Sequence, residues 1–129
     1  MAGYKIVETS NAPKAIGCYS QATQIDNMLF LSGQIGIEPA SLELISPDIL
    51  PQLTQVFKNM KEVLSAAGAD FSHVVKLTVF VTDLRSYGLI NEEMKNHFLE
   101  PYPARSLVQV AGLPKNAAVE IEAIAVLNK

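Results

Sequence analysis

The sequence has little charge, one cysteine and two histidines in its 129 residues. Its cysteine, Cys18, cannot form a disulfide within the chain, which fits a reducing compartment. Cys18, His73 and His97 lack the spacing of a zinc site, so we expect no metal or other cofactor and interpret all three as surface or packing residues. The sequence has no Gly-x-Ser-x-Gly elbow, P-loop or Gly-x-Gly-x-x-Gly turn, which excludes the commonest hydrolase and nucleotide-binding motifs.

Charged residues make up 18% of the chain, against about 25% in an ordinary soluble domain. This shortfall favours a surface partly covered by other copies of the chain, although a sparsely charged surface fits as well. A net charge of −3 without a basic stripe argues against nucleic-acid binding. No apolar stretch reaches the length of a membrane span or of a signal-peptide core, so we expect a soluble cytoplasmic protein, or a mitochondrial one if the source is eukaryotic.

The chain is predicted to form one domain over residues 1–129, because no repeat, low-complexity tract or linker divides it. Its first half contains two predicted strands, at residues 18–25 and 28–35. A tight turn at Asp26-Asn27 joins them, which is typical of a hairpin.

A helix is predicted after this hairpin. Ser46 is its expected N-cap, Pro47 its first residue, and Gly68 is placed to end it. The apolar residues of this stretch recur at helical spacing and should form its buried face: Leu53, Val56, Phe57, Met60, Val63 and Leu64.

The second half alternates strand and helix. Residues 74–82 return to period two, and a second helix is predicted from near Asp83 to just before Pro101. Two more strands follow, at residues 105–111 and 118–127, separated by the turn GLPKNA. The second helix carries one apolar stripe, which consists of Tyr87, Ile90, Met94 and Phe98.

The resulting order, β-β-α-β-α-β-β, predicts an α+β fold with both helices on one face of a mixed sheet. In the strand 74–82 the helix side is assigned to Val75, Leu77, Val79 and Val81. No helix remains to cover the other face, where we expect subunits to pack. The apolar residues predicted to point there are Phe80, Leu107, Ile124 and Val126.

A single guanidinium, that of Arg105, stands at the start of an apolar stretch, where an unpaired charge would be costly. Strands 105–111 and 118–127 are hypothesised to pair antiparallel, with Ala111 opposite Ala118. An ordinary ion pair across a solvated sheet and a site for an external anion both remain open. In this register one face carries Arg105, Leu107, Gln109, Glu120, Glu122 and Ile124.

Nearly the whole chain closely resembles the Rid family of reactive intermediate deaminases, RidA subgroup, through the stretches NAPKAIGCYSQA, LFLSGQIGI, VVKLTVFVTDL and YPARSLVQVAGLPKNAAVEIEAIAV. The resemblance implies a chorismate-mutase-like fold and a homotrimer with sites in the clefts between subunits. It also implies hydrolysis of short 2-imino acids, such as 2-iminobutanoate and 2-iminopropanoate, or of their enamine tautomers. The products would be 2-keto acids and ammonia. Pyridoxal-phosphate-dependent dehydratases that act on serine and threonine release such intermediates.

The resemblance also assigns roles to residues of this chain. Arg105 would hold the substrate carboxylate, and Glu120 would position or activate the hydrolytic water. Gly33 would act through its backbone N–H, and Leu107, at a position where the family usually has cysteine, through its backbone. Besides Arg105, the residues implied to bind substrate are Tyr19, Gly33, Asn91 and Leu107.

Three positions depart from the family pattern: Leu107 replaces a cysteine, Gly112 an arginine and Cys18 a proline. The departures at Leu107 and Gly112 leave open a module that binds 2-keto acids without turnover. RNA cleavage or translation inhibition, known among relatives, is a second alternative, against which the acidic balance argues. A holdase-like chaperone is a third.

Overall fold

A computed structural model describes residues 3–127 of the chain; the two residues at each end of the predicted domain 1–129 lie outside this range. It confirms a single α+β domain with a mixed sheet and two helices on one of its faces. The helices are α1 (Ile49–Ala66) and α2 (Tyr87–Met94). The strands are β1 (Lys5–Val7), β2 (Ala22–Ile25), β3 (Met28–Ile35), β4 (Val74–Val81), β5 (Ala104–Gln109) and β6 (Val119–Val126).

Helix α1 covers most of the core side of the sheet, and its predicted apolar face is buried throughout. The helix begins later than expected, after Asp48, because the Ser46 hydroxyl accepts the Asp48 N–H at 3.0 Å and closes a turn ahead of the helix. Pro51 then falls in the first turn, where backbone N–H groups have no intrahelical partner. Gly68 ends the helix as predicted, in the left-handed region with φ of 77°.

The β2–β3 hairpin is confirmed, with Asp26 at a positive φ of 51° in its turn. Its first strand is shorter than predicted, because residues 18–21 form a loop. The Gln21 side chain fixes this loop: its amide nitrogen donates to the carbonyl of Pro13 at 2.8 Å, and its oxygen accepts the Thr9 N–H at 2.7 Å. The short strand β1, which the sequence analysis missed, pairs with β2.

The second helix is shorter than predicted. Asp83 caps a 3₁₀ turn (Leu84–Ser86), and α2 proper follows it. Phe98 is buried beyond the end of the helix, whereas Tyr87 is half exposed at its start. Only part of the predicted stripe therefore faces the core.

The hypothesised antiparallel pairing of strands 105–111 and 118–127 is wrong. The sheet order is β1-β2-β3-β6-β4-β5, so β6 lies between β3 and β4, and β5 pairs parallel with β4 at the edge. The reason is that α2 forms a β-α-β crossover from β4 to β5, and such a crossover joins parallel strands. Arg105 is aligned with Leu77 on the helix face, whereas Glu120 is aligned with Phe80 on the opposite face.

Two further face assignments are corrected. Leu107 is aligned with the buried Val79 and packs against the core on the helix side, not on the opposite face. Val75 is exposed although it was assigned to the helix side. A bulge between Val74 and Lys76 makes Val75 the extra residue, so that Val74 is buried in its place.

The face of the sheet opposite the helices is called the open face below. No described element covers it. Phe80, Ile124 and Val126 lie on it as predicted, and the register places further apolar side chains beside them. Its apolar residues are Ile6, Ile25, Met28, Phe30, Phe80, Val108, Ile124 and Val126.

Candidate active site

Arg105 lies in the edge strand β5, and its half-buried side chain runs over helix α2. Its Nη1 donates to the Asn91 side-chain oxygen at 2.7 Å and to the Met94 sulfur at 3.3 Å. The guanidinium carbon lies 5.4 Å from the centre of the Tyr87 ring. All three contacts are with uncharged groups, and they come from positions 87, 91 and 94, which share one side of α2.

A cleft of about 410 Å³ opens beside this guanidinium. It is open to solvent, and Tyr102 contributes to its wall. The family resemblance implied Asn91, whereas Tyr87, Met94 and Tyr102 were not predicted for the site. The helical spacing of the first two with Asn91 was the only available signal. The cleft is lined by Asn91, Glu92, Met94, Lys95, Tyr102, Pro103 and Arg105.

The charges around Arg105 leave it without an acidic partner. Segment 83–95 carries three acidic residues, and each has a partner of its own: Asp83 pairs with Arg85 at 2.7 Å and Glu92 with Lys95 at 3.2 Å, while Glu93 contacts Nε2 of His97 at 3.0 Å. In the described part of the chain, Nε and Nη2 of Arg105 donate to no other residue. These two groups form the edge with which an arginine grips both oxygens of a carboxylate.

The only other arginine of the chain illustrates the use of that edge. Nε of Arg85 lies 3.2 and 3.1 Å from the two carboxylate oxygens of Asp83, and Nη2 lies 2.7 Å from one of them. This two-pronged bond raises the pKa of Arg85 and lowers that of Asp83. Arg105 has the same edge but meets no carboxylate among residues 3–127.

Glu120 lies on the open face, beside a bulge in β3 at residues 32–33. The absence of a side chain at Gly33 makes room for it: a Cβ at that position would lie 2.8 Å from Glu120 Cδ. Partial burial raises the pKa of the Glu120 carboxyl, and the negative charge of Glu122 raises it further. A carboxylate of this kind is a stronger base than an exposed one.

Tyr19 belongs to the same region as Glu120. The Ser32 hydroxyl, next to Gly33, donates to the Ser20 carbonyl at 2.6 Å, which holds the loop of Tyr19 alongside the bulge. The Tyr19 hydroxyl accepts the Ile16 N–H at 3.4 Å, and its ring is half exposed.

The predicted site residues therefore form two groups. Arg105 and Asn91 lie on the helix side, whereas Tyr19, Gly33 and Glu120 lie at the open face. Strand spacings of about 4.8 Å and a rise of about 3.3 Å per residue put the Cα atoms of Arg105 and Glu120 about 14 Å apart, with side chains on opposite faces. One chain does not bring the two groups together. Leu107 is half-buried, packs against the core and is not among the side chains that line the cleft.

The other candidate reactive residues are accounted for by packing or exposure. The His97 ring stacks on that of Phe57 at 4.6 Å, and Nδ1 of His73 accepts the Asp70 N–H at 3.0 Å. Cys18 is an exposed thiol. Within residues 3–127, no three His, Cys, Asp or Glu side chains are placed to share a metal ion. Over the same range, no helix has both the length and the hydropathy needed to cross a bilayer.

Comparison with known proteins gives consistent matches over almost the full length. The profile of a family described as Endoribonuclease L-PSP matches residues 9–127. The 2-iminobutanoate/2-iminopropanoate deaminase of Mus musculus is 47% identical over 122 residues, covering 95% of this chain and 90% of the mouse protein. Two crystal structures also match. That of RidA from an Antarctic Psychrobacter bacterium has 43% sequence identity and a TM-score of 0.91, and that of E. coli TdcF with bound serine has 44% identity and a TM-score of 0.89. They cover 95% and 96% of this chain, and 98% and 99% of their own.

Proposed function

The chain belongs to the endoribonuclease L-PSP family, also called the Rid family, and on that premise we propose that it hydrolyses short 2-imino acids. The preferred substrates are 2-iminobutanoate and 2-iminopropanoate, in keeping with the name of the mouse relative. The products are 2-keto acids and ammonia. The reaction is placed in the cytoplasm, or in mitochondria for a eukaryotic source, where pyridoxal-phosphate-dependent dehydratases would supply these imines.

The observation that carries this proposal is that Arg105 has no acidic partner among the described residues. Its Nε and Nη2 donate to no described residue, it faces a cleft, and each acidic side chain of segment 83–95 has a partner other than Arg105. A 2-imino acid carries one permanent charge, its carboxylate, and two parallel N–H···O bonds from an arginine fix both its position and its plane. Each charge-assisted bond contributes about 1.5–3 kcal/mol.

The complete site requires two copies of the chain, in keeping with the homotrimer that the family resemblance implies. Arg105 and Asn91 of one copy would face Tyr19, Gly33 and Glu120 of the next. The open face supports this arrangement, because its apolar side chains have no cover within the described chain and would be buried by a neighbouring subunit. The exposed edge of β5 brings the Arg105 cleft to the border of the molecule.

The chemistry requires little beyond orientation and charge placement. Water adds to the imine carbon while Glu120 takes up one of its protons, so that a C–O bond forms and the C=N electrons move to nitrogen. The nitrogen gains protons, and the C–N bond breaks. Ammonia leaves, and the remaining O–H loses its proton as the keto group forms. The raised pKa of Glu120 makes its carboxylate a better acceptor for the proton of the attacking water than an exposed carboxylate would be.

The test follows the lifetime of an imine. Threonine and a threonine dehydratase generate 2-iminobutanoate, and semicarbazide traps whatever imine survives. We expect the wild-type protein to reduce the trapped fraction and Arg105→Ala to lose at least about 10² in kcat/KM, since about 1.4 kcal/mol corresponds to a factor of ten. Arg85→Ala is the matched control, because Arg85 is exposed and already pairs with Asp83. Equal imine lifetimes with wild type and Arg105→Ala would refute the assignment.

A second pair of variants tests Glu120. Glu120→Gln should lower kcat by about 10²–10⁴, the usual range for general-base assistance. Glu122→Gln removes a neighbouring carboxylate on the same face and should retain most of the activity.

Binding of 2-ketobutanoate with no change in imine decay would favour the keto-acid-binding module instead. RNA cleavage that survives loss of both Arg105 and Glu120 would favour a nuclease.

A further inference from the structure

We propose that Tyr87 and Met94 are positioning residues for Arg105, and that with Asn91 they form an uncharged cradle that keeps the guanidinium available for an external carboxylate. This inference rests on the proposed function for its biological meaning, but not for its test. The sequence placed Tyr87 and Met94 only on the apolar stripe of the second helix, and the family resemblance gave neither a role in the site.

The contacts divide the guanidinium into a held side and a free side. Nη1 has two hydrogens; one bonds to the Asn91 oxygen at 2.7 Å and the other is directed to the Met94 sulfur at 3.3 Å. The Tyr87 ring lies against the guanidinium at 5.4 Å from its carbon, within the range of a cation–π contact. The Nε–Nη2 edge has no described partner, so the contacts to Nη1 leave that edge for an external carboxylate.

The uncharged nature of the cradle distinguishes Arg105 from Arg85. A carboxylate in the cradle would compete directly with a substrate carboxylate, as Asp83 does for Arg85. An amide oxygen, a thioether and an aromatic face orient the cation while leaving its charge uncompensated. Positions 87, 91 and 94 follow helical spacing, so the short helix α2 presents all three contacts from one rigid element.

Conservative substitutions can distinguish an effect on the orientation of the Arg105 guanidinium from an effect on folding. Tyr87→Leu removes the ring, whereas Tyr87→Phe retains its face and should rescue binding. Met94→Leu removes the sulfur but keeps a buried side chain of similar size. The matched controls are Tyr4→Leu, since Tyr4 and Tyr87 are 51% and 52% exposed, and Met60→Leu in the α1 core.

The first readout is binding of 2-ketobutanoate by calorimetry, with KM and kcat for imine hydrolysis measured in parallel. Tyr87→Leu and Met94→Leu should each weaken keto-acid binding and raise KM by about two- to fivefold, with kcat less affected. Asn91→Asp should weaken binding by about tenfold or more, because its carboxylate would pair with Arg105. The urea midpoint of the Asn91→Asp variant should not fall, which separates weaker binding from misfolding.

The second readout needs no ligand or activity. The chain has two arginines, so its NMR spectrum contains two Nε–Hε signals, and Arg85→Ala assigns them. Loss of the ring or the sulfur should shift and broaden the Arg105 signal, whereas Tyr4→Leu and Met60→Leu should leave it in place. An unchanged Arg105 signal in both Tyr87→Leu and Met94→Leu would overturn the proposal. If the Arg105 signal changes in these variants but the wild-type protein hydrolyses no imine, only the proposed function is refuted.

Discussion

Two glycines three residues apart in and after β3 should respond in opposite ways to the same substitution. A Cβ at Gly33 would approach the carboxylate end of Glu120, with Cδ at 2.8 Å. A Cβ at Gly36 would lie 2.6 Å from both Cα and the carbonyl oxygen of Gln52, which belong to helix α1. Neither glycine has a positive φ, so alanine meets no backbone strain at either position.

The difference in what the methyl group meets sets the expected magnitudes. At position 33 a flexible side chain can rotate away, so Gly33→Ala should stay within about 1 kcal/mol of wild-type stability, aided by the lower entropy of the unfolded chain. Glu120 is then displaced by about 1 Å or more, and a shift of that size costs about 10² in kcat. At position 36 the helix backbone must move, and overpacking of this kind costs about 1–3 kcal/mol.

The assay combines urea unfolding with steady-state imine hydrolysis on both variants. Gly33→Ala should unfold close to the wild-type midpoint and lose activity, whereas Gly36→Ala should unfold earlier and retain kcat per folded site. Wild-type kcat in Gly33→Ala would show that Glu120 does not act from its observed position beside the bulge. Wild-type stability in Gly36→Ala would show that α1 can move away from β3 at little cost.

Three further predictions concern charge and buried hydrogen bonds. Glu122→Gln removes a charge that raises the Glu120 pKa, so the acid limb of the kcat–pH profile should move to lower pH; an unmoved limb would assign that limb to another group. The Glu120 carboxyl binds its proton more tightly in the folded protein than in the unfolded chain. The stability that this contributes is therefore lost as the pH rises above the ordinary pKa of 4.5. The stability of Glu120→Gln relative to wild type should therefore grow from pH 4.5 towards neutrality, and a constant difference in urea midpoints would contradict this. Asn59→Ala removes the amide group that donates to the carbonyls of Ile35 and Ile37 at 3.2 and 3.0 Å, and should lower the free energy of unfolding by about 1–3 kcal/mol; an unchanged urea midpoint would show that water replaces these bonds.

Local patterns predicted local structure well. The six apolar residues expected on the first helix are all buried, and the strand at residues 28–35 has the predicted bounds. In both cases the signal depends only on neighbouring positions along the chain: helical spacing for α1, and alternation with the Asp26 turn for the hairpin. Gly68 likewise ends its helix because of its own backbone conformation.

Strand pairing was predicted less well, because it depends on distant partners. The turn between β5 and β6 suggested a hairpin, but a β-α-β crossover joins parallel strands, and the helix between β4 and β5 makes these two strands a parallel pair at the edge of the sheet, with β6 between β3 and β4. That crossover rule was available from the predicted element order alone. The bulges at residues 32–33 and at Val75 were not, because each depends on the register of the partner strand.

The separation of Arg105 and Glu120 on opposite faces leads to a test of the whole arrangement. If each site takes its arginine from one subunit and its carboxylate from the next, Arg105→Ala and Glu120→Gln are both inactive alone, yet each retains the half that the other lacks. Random reassembly of an equal mixture pairs an intact arginine with an intact carboxylate in about one quarter of the sites, whatever the number of subunits in a closed ring. Imine hydrolysis should therefore return to about a quarter of the wild-type rate after joint denaturation and refolding, and not after simple mixing of stable oligomers. If both residues served a site within one chain, no combination of the two variants would contain an intact site, and refolding the mixture would restore nothing.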